Sequence, residues 1–199
     1  MNGDSREYHI LYNAVIRVKD VDGFTCEIGV REGGATKLII DTLLKTNQSK
    51  THIAIDPYGN IEYEHFETKK ERLDYTNSMK TRMLANLYTF CNENGMDCLF
   101  FPLEDTEFFK RYCDGVPIYN EHKSVLNKYA MVFLDGPHTT KLVRDEFDFF
   151  KTRIPKKGII VFDDIDQYPH MEQLDDYICN NGFYMLEKGD CKISYVKLF

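Results

Sequence analysis

Residues 26–36 read CEIGVREGGAT, and residues 51–58 read THIAIDPY. Each contains an apolar run that meets an acid, and a glycine turn follows the first. Glycines permit a tight turn and close backbone approach, while an acid after a second strand suits ribose hydroxyls. The spacing Glu27-x-Gly29-x-x-x-Gly33 differs from the dinucleotide pattern G-x-G-x-x-G. Glu27, Gly29, Gly33, Asp56 and the adjoining Pro57 are therefore candidates to hold a nucleoside-bearing cofactor. Packing alone could also call for these glycines; Asp56 tips the reading towards a cofactor.

Two later segments concentrate carboxylates. Residues 134–140, LDGPHTT, and residues 162–166, FDDID, both close apolar runs. Neighbouring parallel strands deliver their C-terminal ends to one crevice, so Asp135, Asp163 and Asp164 should gather there. Neither motif contains a lysine or arginine. Three such carboxylates either rise in pKa or bind a hard divalent cation such as Mg2+. The plainer assignment has Asp135 touching the cofactor, Asp163 capping a turn and Asp164 facing water. His138 stands three positions after Asp135. An imidazole with an ordinary pKa of about 6.5 can accept a proton from a metal-acidified hydroxyl. It could instead cap a helix starting at Thr139. His52, His65 and His170 read as structural or solvated.

The elements that must position these groups alternate in type. Apolar spacing predicts a helix over 5–19, a strand over 24–28, a helix over 33–46 and a strand over 51–55. The polar, aromatic-spotted stretch 57–76 is expected to be a loop or lid near the cleft. A helix near 77–93, a strand over 97–102 and a helix from 103 follow, with Asp105 and Thr106 able to cap the last. Residues 113–127 read as irregular. Then come a strand over 129–135, a helix over 139–153, a strand over 158–164 and a helix over 170–180 that stops at Asn181–Gly182. The tail reads as a hairpin around Lys188-Gly189-Asp190. Near-continuous apolar strands suit a parallel sheet covered on both faces. The expected fold is α/β, three-layer and doubly wound, with a seven-stranded, mostly parallel sheet and a C-terminal antiparallel hairpin.

The 199 residues are most simply one domain spanning 1–199, large enough to bury about 70% of the unfolded surface. A hydrophobic fraction of 43% with 29% charged residues is an ordinary soluble profile. No run approaches the ~20 apolar residues that cross a bilayer, and the N-terminus lacks the regions of a signal peptide. A cytoplasmic location with no membrane partner is expected. The formal charge of −7, without a basic cluster, argues against nucleic acid and for a small-molecule partner. The six cysteines form no C-x-x-C pair, which removes zinc-knuckle and redox-motif readings and leaves free thiols.

Taken together, the Glu27–Gly33 turn, Asp56 and five strand–helix units followed by a hairpin resemble the class I S-adenosylmethionine (SAM) dependent methyltransferases. D-G-x-H at 135–138 and D-D at 163–164 narrow the resemblance to the macrocin-type and related small-molecule O-methyltransferases, like methyltransferase family 24. The metal-dependent catechol-type O-methyltransferases are similar. The resemblance covers about residues 24–166. It implies SAM as cofactor, with Asp135 beside it and with Glu104 and Asp105 placed where relatives contact the adenine amine, unless those two simply cap a helix. It also implies Mg2+ on Asp135, Asp163 and Asp164, bridging two neighbouring oxygens of a hydroxylated acceptor such as a sugar, polyol or natural product. Many macrocin-type members carry a second aspartate where this chain has Pro137, which can neither ligate nor take a proton. His138 occupies the position that supplies the base in some relatives. A homo-oligomer is compatible with this family.

Two other readings remain open at the level of sequence. One is an NAD(P)-dependent oxidoreductase, disfavoured by the missing G-x-G-x-x-G and the terminal hairpin. The other is a non-catalytic cofactor-binding protein on a methyltransferase scaffold, for which Pro137 is the best support.

Overall fold

The computed structural model describes residues 5–59, 62–66, 69–72, 75–119 and 121–199. In chain order the elements are α1 (Tyr8–Arg17), β1 (Phe24–Ile28), α2 (Gly34–Lys45), β2 (His52–Ile55), β3 (Glu62–Phe66), β4 (Lys69–Arg72) and α3 (Asn77–Asn94). There follow β5 (Cys98–Phe101), α4 (Asp105–Arg111), β6 (Val116–Tyr119), β7 (Lys123–Leu126), β8 (Tyr129–Leu134), α5 (Thr140–Lys151), β9 (Ile159–Phe162), α6 (His170–Asn180), β10 (Phe183–Lys188) and β11 (Ile193–Lys197). Seven strands form one sheet in the order β10-β11-β9-β8-β1-β2-β5. The pairings from β9 to β5 are parallel, and β11 runs antiparallel to both β9 and β10. This is the expected doubly wound sheet with a terminal hairpin.

Every residue of β1, β2, β8 and β9 is buried, because helices cover both faces. Alternation along the strands divides the core. Cys26, Ile28, Val132, Leu134, Ile160 and Phe162 pack with Val143, Phe147 and Phe150 of α5 and Leu174 and Ile178 of α6. Met131, Phe133, Ile159 and Val161 point the other way, onto Leu11 and Val15 of α1 and Ile39 and Leu43 of α2. Burying one such side chain contributes about 1.5–3 kcal/mol, so the sheet's middle is held firmly from both sides. Order reverses at β1, which neighbours both β2 and β8, and a crevice opens beyond strand ends at such a point.

Two segments depart from expectation. Residues 57–76, expected to be a loop or lid, contain the antiparallel pair β3–β4, whose connection at 67–68 lies outside the described residues. Residues 113–127, expected to be irregular, contain the β6–β7 hairpin, with Val116 opposite Leu126 and Tyr119 opposite Lys123. Pro117 and the wholly exposed β7 hide the alternating pattern that marks a half-buried strand. None of the described helices is long and apolar enough to cross a membrane.

The chain's N-terminal segment is fastened to the far end of the sheet. The Glu7 carboxylate accepts the backbone N–H groups of Asp190 and Cys191, each at 2.9 Å, and of Lys192 at 3.1 Å. These bonds, that from Asp190 foremost, hold its pKa down at about 2. An unfolded glutamate titrates at about 4.3. The stabilisation is therefore present above that value and is lost as pH falls towards 2. Glu7 is half-exposed, so solvent screening limits the gain to about 1 kcal/mol. Glu7→Gln should lower the melting temperature at pH 7 and leave it unchanged at pH 2; an equal deficit at both would contradict this anchoring.

Candidate active site

The crevice begins at the turn after β1. Gly29 adopts φ 87°, and its N–H donates to Ile55 O at 3.0 Å. A Cβ on Gly29 would lie 1.9 Å from the carbonyl oxygen of Asp135. The Asp135 N–H donates to Ile28 O at 2.9 Å. The turns after β1 and β8 thus touch through backbone, which only glycine allows. Gly33, φ 76°, serves as the N-cap of α2 and lies away from the cavity wall.

Asp56 closes β2 and is 2% exposed. Its Oδ2 accepts the N–H groups of Val30 at 2.9 Å and Arg31 at 3.0 Å, and its Oδ1 accepts that of Tyr58 at 3.0 Å. Burial raises its pKa, and the three amides oppose that rise. Asp56 therefore fastens the glycine turn to β2 while also lining the cavity. The Tyr58 hydroxyl secures the same turn by donating to Arg31 O.

A cavity of about 330 Å³ lies beyond these strand ends. Gly29, Asp56, Pro57, Glu104, Asp105, Asp135 and His138 all line it, as do Glu62 and Tyr75 from the insertion after β2. Glu104 is the N-cap residue of α4 and makes no side-chain capping bond. Burial raises Asp105 to about 6, and its buried Oδ2 has no hydrogen-bond partner among the described residues.

Glu27 is placed differently from the sequence expectation. It is 1% exposed and absent from the cavity wall, because the strand's pleat turns residue 27 towards α2. There it accepts a hydrogen bond from the Thr36 hydroxyl and lies 3.5 Å from His52 Nε2. The His52 Nδ1 is 3.0 Å from Thr25 Oγ1. Burial raises the pKa of Glu27. The residue packs in the sheet–helix interface and is not among the residues that line the cavity.

The acidic motifs meet at the other end of the cavity. Asp135, His138 and Asp164 each present one ligand atom within 4.8 Å of the others. His138 Nε2 is 3.6 Å from Asp164 Oδ2, and the imidazole stacks on Tyr168 at 4.3 Å with 3° between the ring planes. Burial, followed by repulsion from Asp163, pushes Asp164 up to about 6. The same causes, with Asp164 added, hold the Asp135 carboxyl well above the usual range. The two carboxylates offer oxygen ligands suited to a divalent cation, with the imidazole beside them.

Asp163, expected as a third ligand, is directed elsewhere. Its Oδ1 accepts from Lys192 Nζ at 2.6 Å and from the Asp164 N–H at 2.8 Å, and its Oδ2 accepts from Ser5 Oγ at 2.7 Å. The compensating cation comes from 29 residues away, beyond the reach of the local motif. His138 stands in the cluster where Asp163 was anticipated. Sequence reasoning also missed Glu146 of α5, which is fully buried behind Gly136, with neither carboxyl oxygen partnered among the described residues. Burial pushes its pKa well above the carboxylate range. An acid on the helix face that carries Val143, Phe147 and Phe150 was its only signal.

The family model described as "Methyltransferase domain" matches residues 26–165, from the glycine turn to the second acidic motif. The curated "Uncharacterized protein R132" of Acanthamoeba polyphaga mimivirus is 26% identical over 161 residues, which are 81% of this chain and 60% of that protein. This chain thus spans only three-fifths of that relative. Among solved structures it resembles the O-methyltransferase NovP, with a TM-score of 0.67 and 17% identity, over 96% of this chain and 79% of that one. An O-methyltransferase from Bacillus cereus in complex with SAH gives a TM-score of 0.66 and 9% identity, over 98% and 83% of the chains. An rRNA methylase from Streptococcus thermophilus gives 0.59 and 12%, over 100% of both. At such identities these likenesses describe the fold and leave the acceptor open. With the family model matching from the turn that builds the cavity to the acids at its far end, the chain belongs to the methyltransferase-domain family.

Proposed function

We propose that the protein transfers a methyl group from SAM to a hydroxyl of a small molecule, assisted by a divalent cation. One observation carries this reading: Asp135 belongs both to the cavity wall and to the Asp135–His138–Asp164 group. A cofactor in the cavity would therefore adjoin groups able to activate an acceptor.

Methyl transfer from a sulfonium is a direct displacement. The protein must align donor and acceptor, remove the acceptor's proton and exclude water. Asp56 takes a ribose hydroxyl at Oδ1, which keeps acceptor capacity beyond the Tyr58 amide, whereas Oδ2 already accepts two amides. Glu104 and Asp105, both on the cavity wall, are placed towards the adenine amine. Gly29 leaves room for the methionine portion to approach the backbone. Asp135 and Asp164 would hold Mg2+ or Mn2+, whose chemical contribution is to lower the pKa of a hydroxyl bound beside it. His138 receives the proton at Nε2, and Asp164 at 3.6 Å stabilises the resulting imidazolium. Tyr168 keeps the ring in plane for that transfer. Pro137 lines the cavity without taking part in proton transfer, which leaves His138 as the base in this motif.

The test is release of S-adenosylhomocysteine (SAH) from SAM across a panel of sugars, polyols and catechols, beside amines and RNA. Turnover is expected with a hydroxyl acceptor, falling at least about 100-fold after chelation and returning with Mg2+ or Mn2+. Full-rate methylation of an amine or RNA in the presence of chelator would overturn the reading.

A further inference from the structure

Lys192 and Asp163 form an ion pair at 2.6 Å with side chains 0% and 1% exposed. The Lys192 Nζ also donates to Ser5 Oγ, which in turn donates to Asp163 Oδ2 at 2.7 Å. A buried pair of this kind gives little net stability over apolar residues of similar size, so stability alone does not account for it. Its consequence lies one residue further on. Asp163 Oδ1, held by Lys192, accepts the Asp164 N–H at 2.8 Å, and Asp164 adopts φ 53°. A non-glycine residue in that left-handed region is costly and persists only where its surroundings hold it. In this conformation the Asp164 carboxylate joins Asp135 and His138.

We propose that Lys192 is a positioning residue for the acidic end of the cleft: by turning Asp163 inward it fixes the backbone of Asp164 and so sets the carboxylate that completes the cluster. The inference rests on the cation-assisted reading only for the ion it concerns; the backbone claim stands independently. Lys192 is itself located by the Glu7 carboxylate, which accepts its N–H at 3.1 Å, and its ammonium lies 5.4 Å from the centre of the Phe133 ring. The N-terminal segment and the C-terminal hairpin therefore act together on a loop that neither belongs to.

The experiment compares the full chain with Lys192→Met and with Lys192→Met/Asp163→Asn. Mn2+ affinity is read by electron paramagnetic resonance, SAH affinity by calorimetry, and protection of the Asp164 amide by hydrogen exchange. Lys192→Met should weaken Mn2+ at least tenfold and speed Asp164 exchange at least tenfold, with SAH affinity within twofold of the parent. The double variant keeps an oxygen for the Asp164 N–H and buries no unpaired charge, so both Asp164 readouts should return to within threefold. Unchanged Mn2+ affinity and exchange in Lys192→Met would overturn the proposal, as would no recovery in the double variant. A parallel loss of SAH affinity would also overturn it, since that marks general destabilisation. If the parent protein binds no Mn2+, the metal reading fails, and the exchange rates alone decide the role of Lys192. Should Lys192→Met not fold, Lys192→Met/Asp163→Leu replaces it: loss of Asp164 protection that the asparagine variant retains supports the proposal, and equal protection overturns it.

Discussion

Gly29→Ala is expected to destabilise the protein by about 3–5 kcal/mol and to weaken SAH binding at least 100-fold. Two separate costs combine. Gly29 holds φ 87°, a conformation that costs a residue with a Cβ about 1–3 kcal/mol. The added Cβ would also stand 1.9 Å from the Asp135 carbonyl oxygen and 2.6 Å from its carbon. These are backbone atoms, and the β1 and β8 ends are tied in place by Gly29 N–H to Ile55 O and Asp135 N–H to Ile28 O. Relief requires separating the two turns that shape the cavity. Gly59→Ala is the control, because Gly59 has φ 89° but nothing among the described residues within 4 Å of its would-be Cβ. It should pay the backbone cost alone. Urea denaturation of both variants decides the matter: a Gly29→Ala loss within about 1 kcal/mol of the Gly59→Ala loss would contradict the close approach.

Asp135→Asn should slow methyl transfer about 10³-fold, equivalent to about 4 kcal/mol of transition-state stabilisation, while leaving the fold more stable. The amide keeps the size of the side chain and the backbone contacts of the turn. It removes the charge that burial and the carboxylates of Asp163 and Asp164 disfavour. An aspartate whose folded pKa is raised costs the native state free energy above its unfolded pKa of about 3.9, where the unfolded chain ionises readily. Eliminating that charge should raise stability by about 1 kcal/mol at pH 7, with a smaller gain at pH 4. Thermal melts at the two pH values, alongside single-turnover rates, test both halves. A variant that is less stable, or that retains turnover within tenfold, would remove Asp135 from the role assigned to it.

The parallel sheet was legible in the sequence because its strands are buried on both faces. Residues 24–28 give β1 directly, and the runs at 129–135 and 158–164 contain β8 and β9. Residues 170–180 give α6 with its stop at Asn181–Gly182. The β6–β7 hairpin was not legible, since a strand that buries one residue in four leaves little pattern. Among site residues, Asp56, Asp105, Asp135 and His138 follow from their places at strand ends and cavity walls. The direction of Glu27 was not legible, because the glycine motif fixes its spacing, whereas the pleat of β1 fixes the face it takes. The Asp163 side chain is decided by Lys192, whose local sequence, GDCKIS, looks like an ordinary turn and edge strand. Only the meeting of β9 with β11 brings the two together.

The most direct test of the account is a crystal structure of the protein with SAH and Mn2+. The account predicts the adenine beside Asp105, the ribose at Asp56, the sulphur facing Asp135, and an anomalous peak between Asp135 and Asp164 with His138 alongside. SAH bound outside the cavity, or a sulphur turned away from the Asp135–His138–Asp164 group, would contradict it.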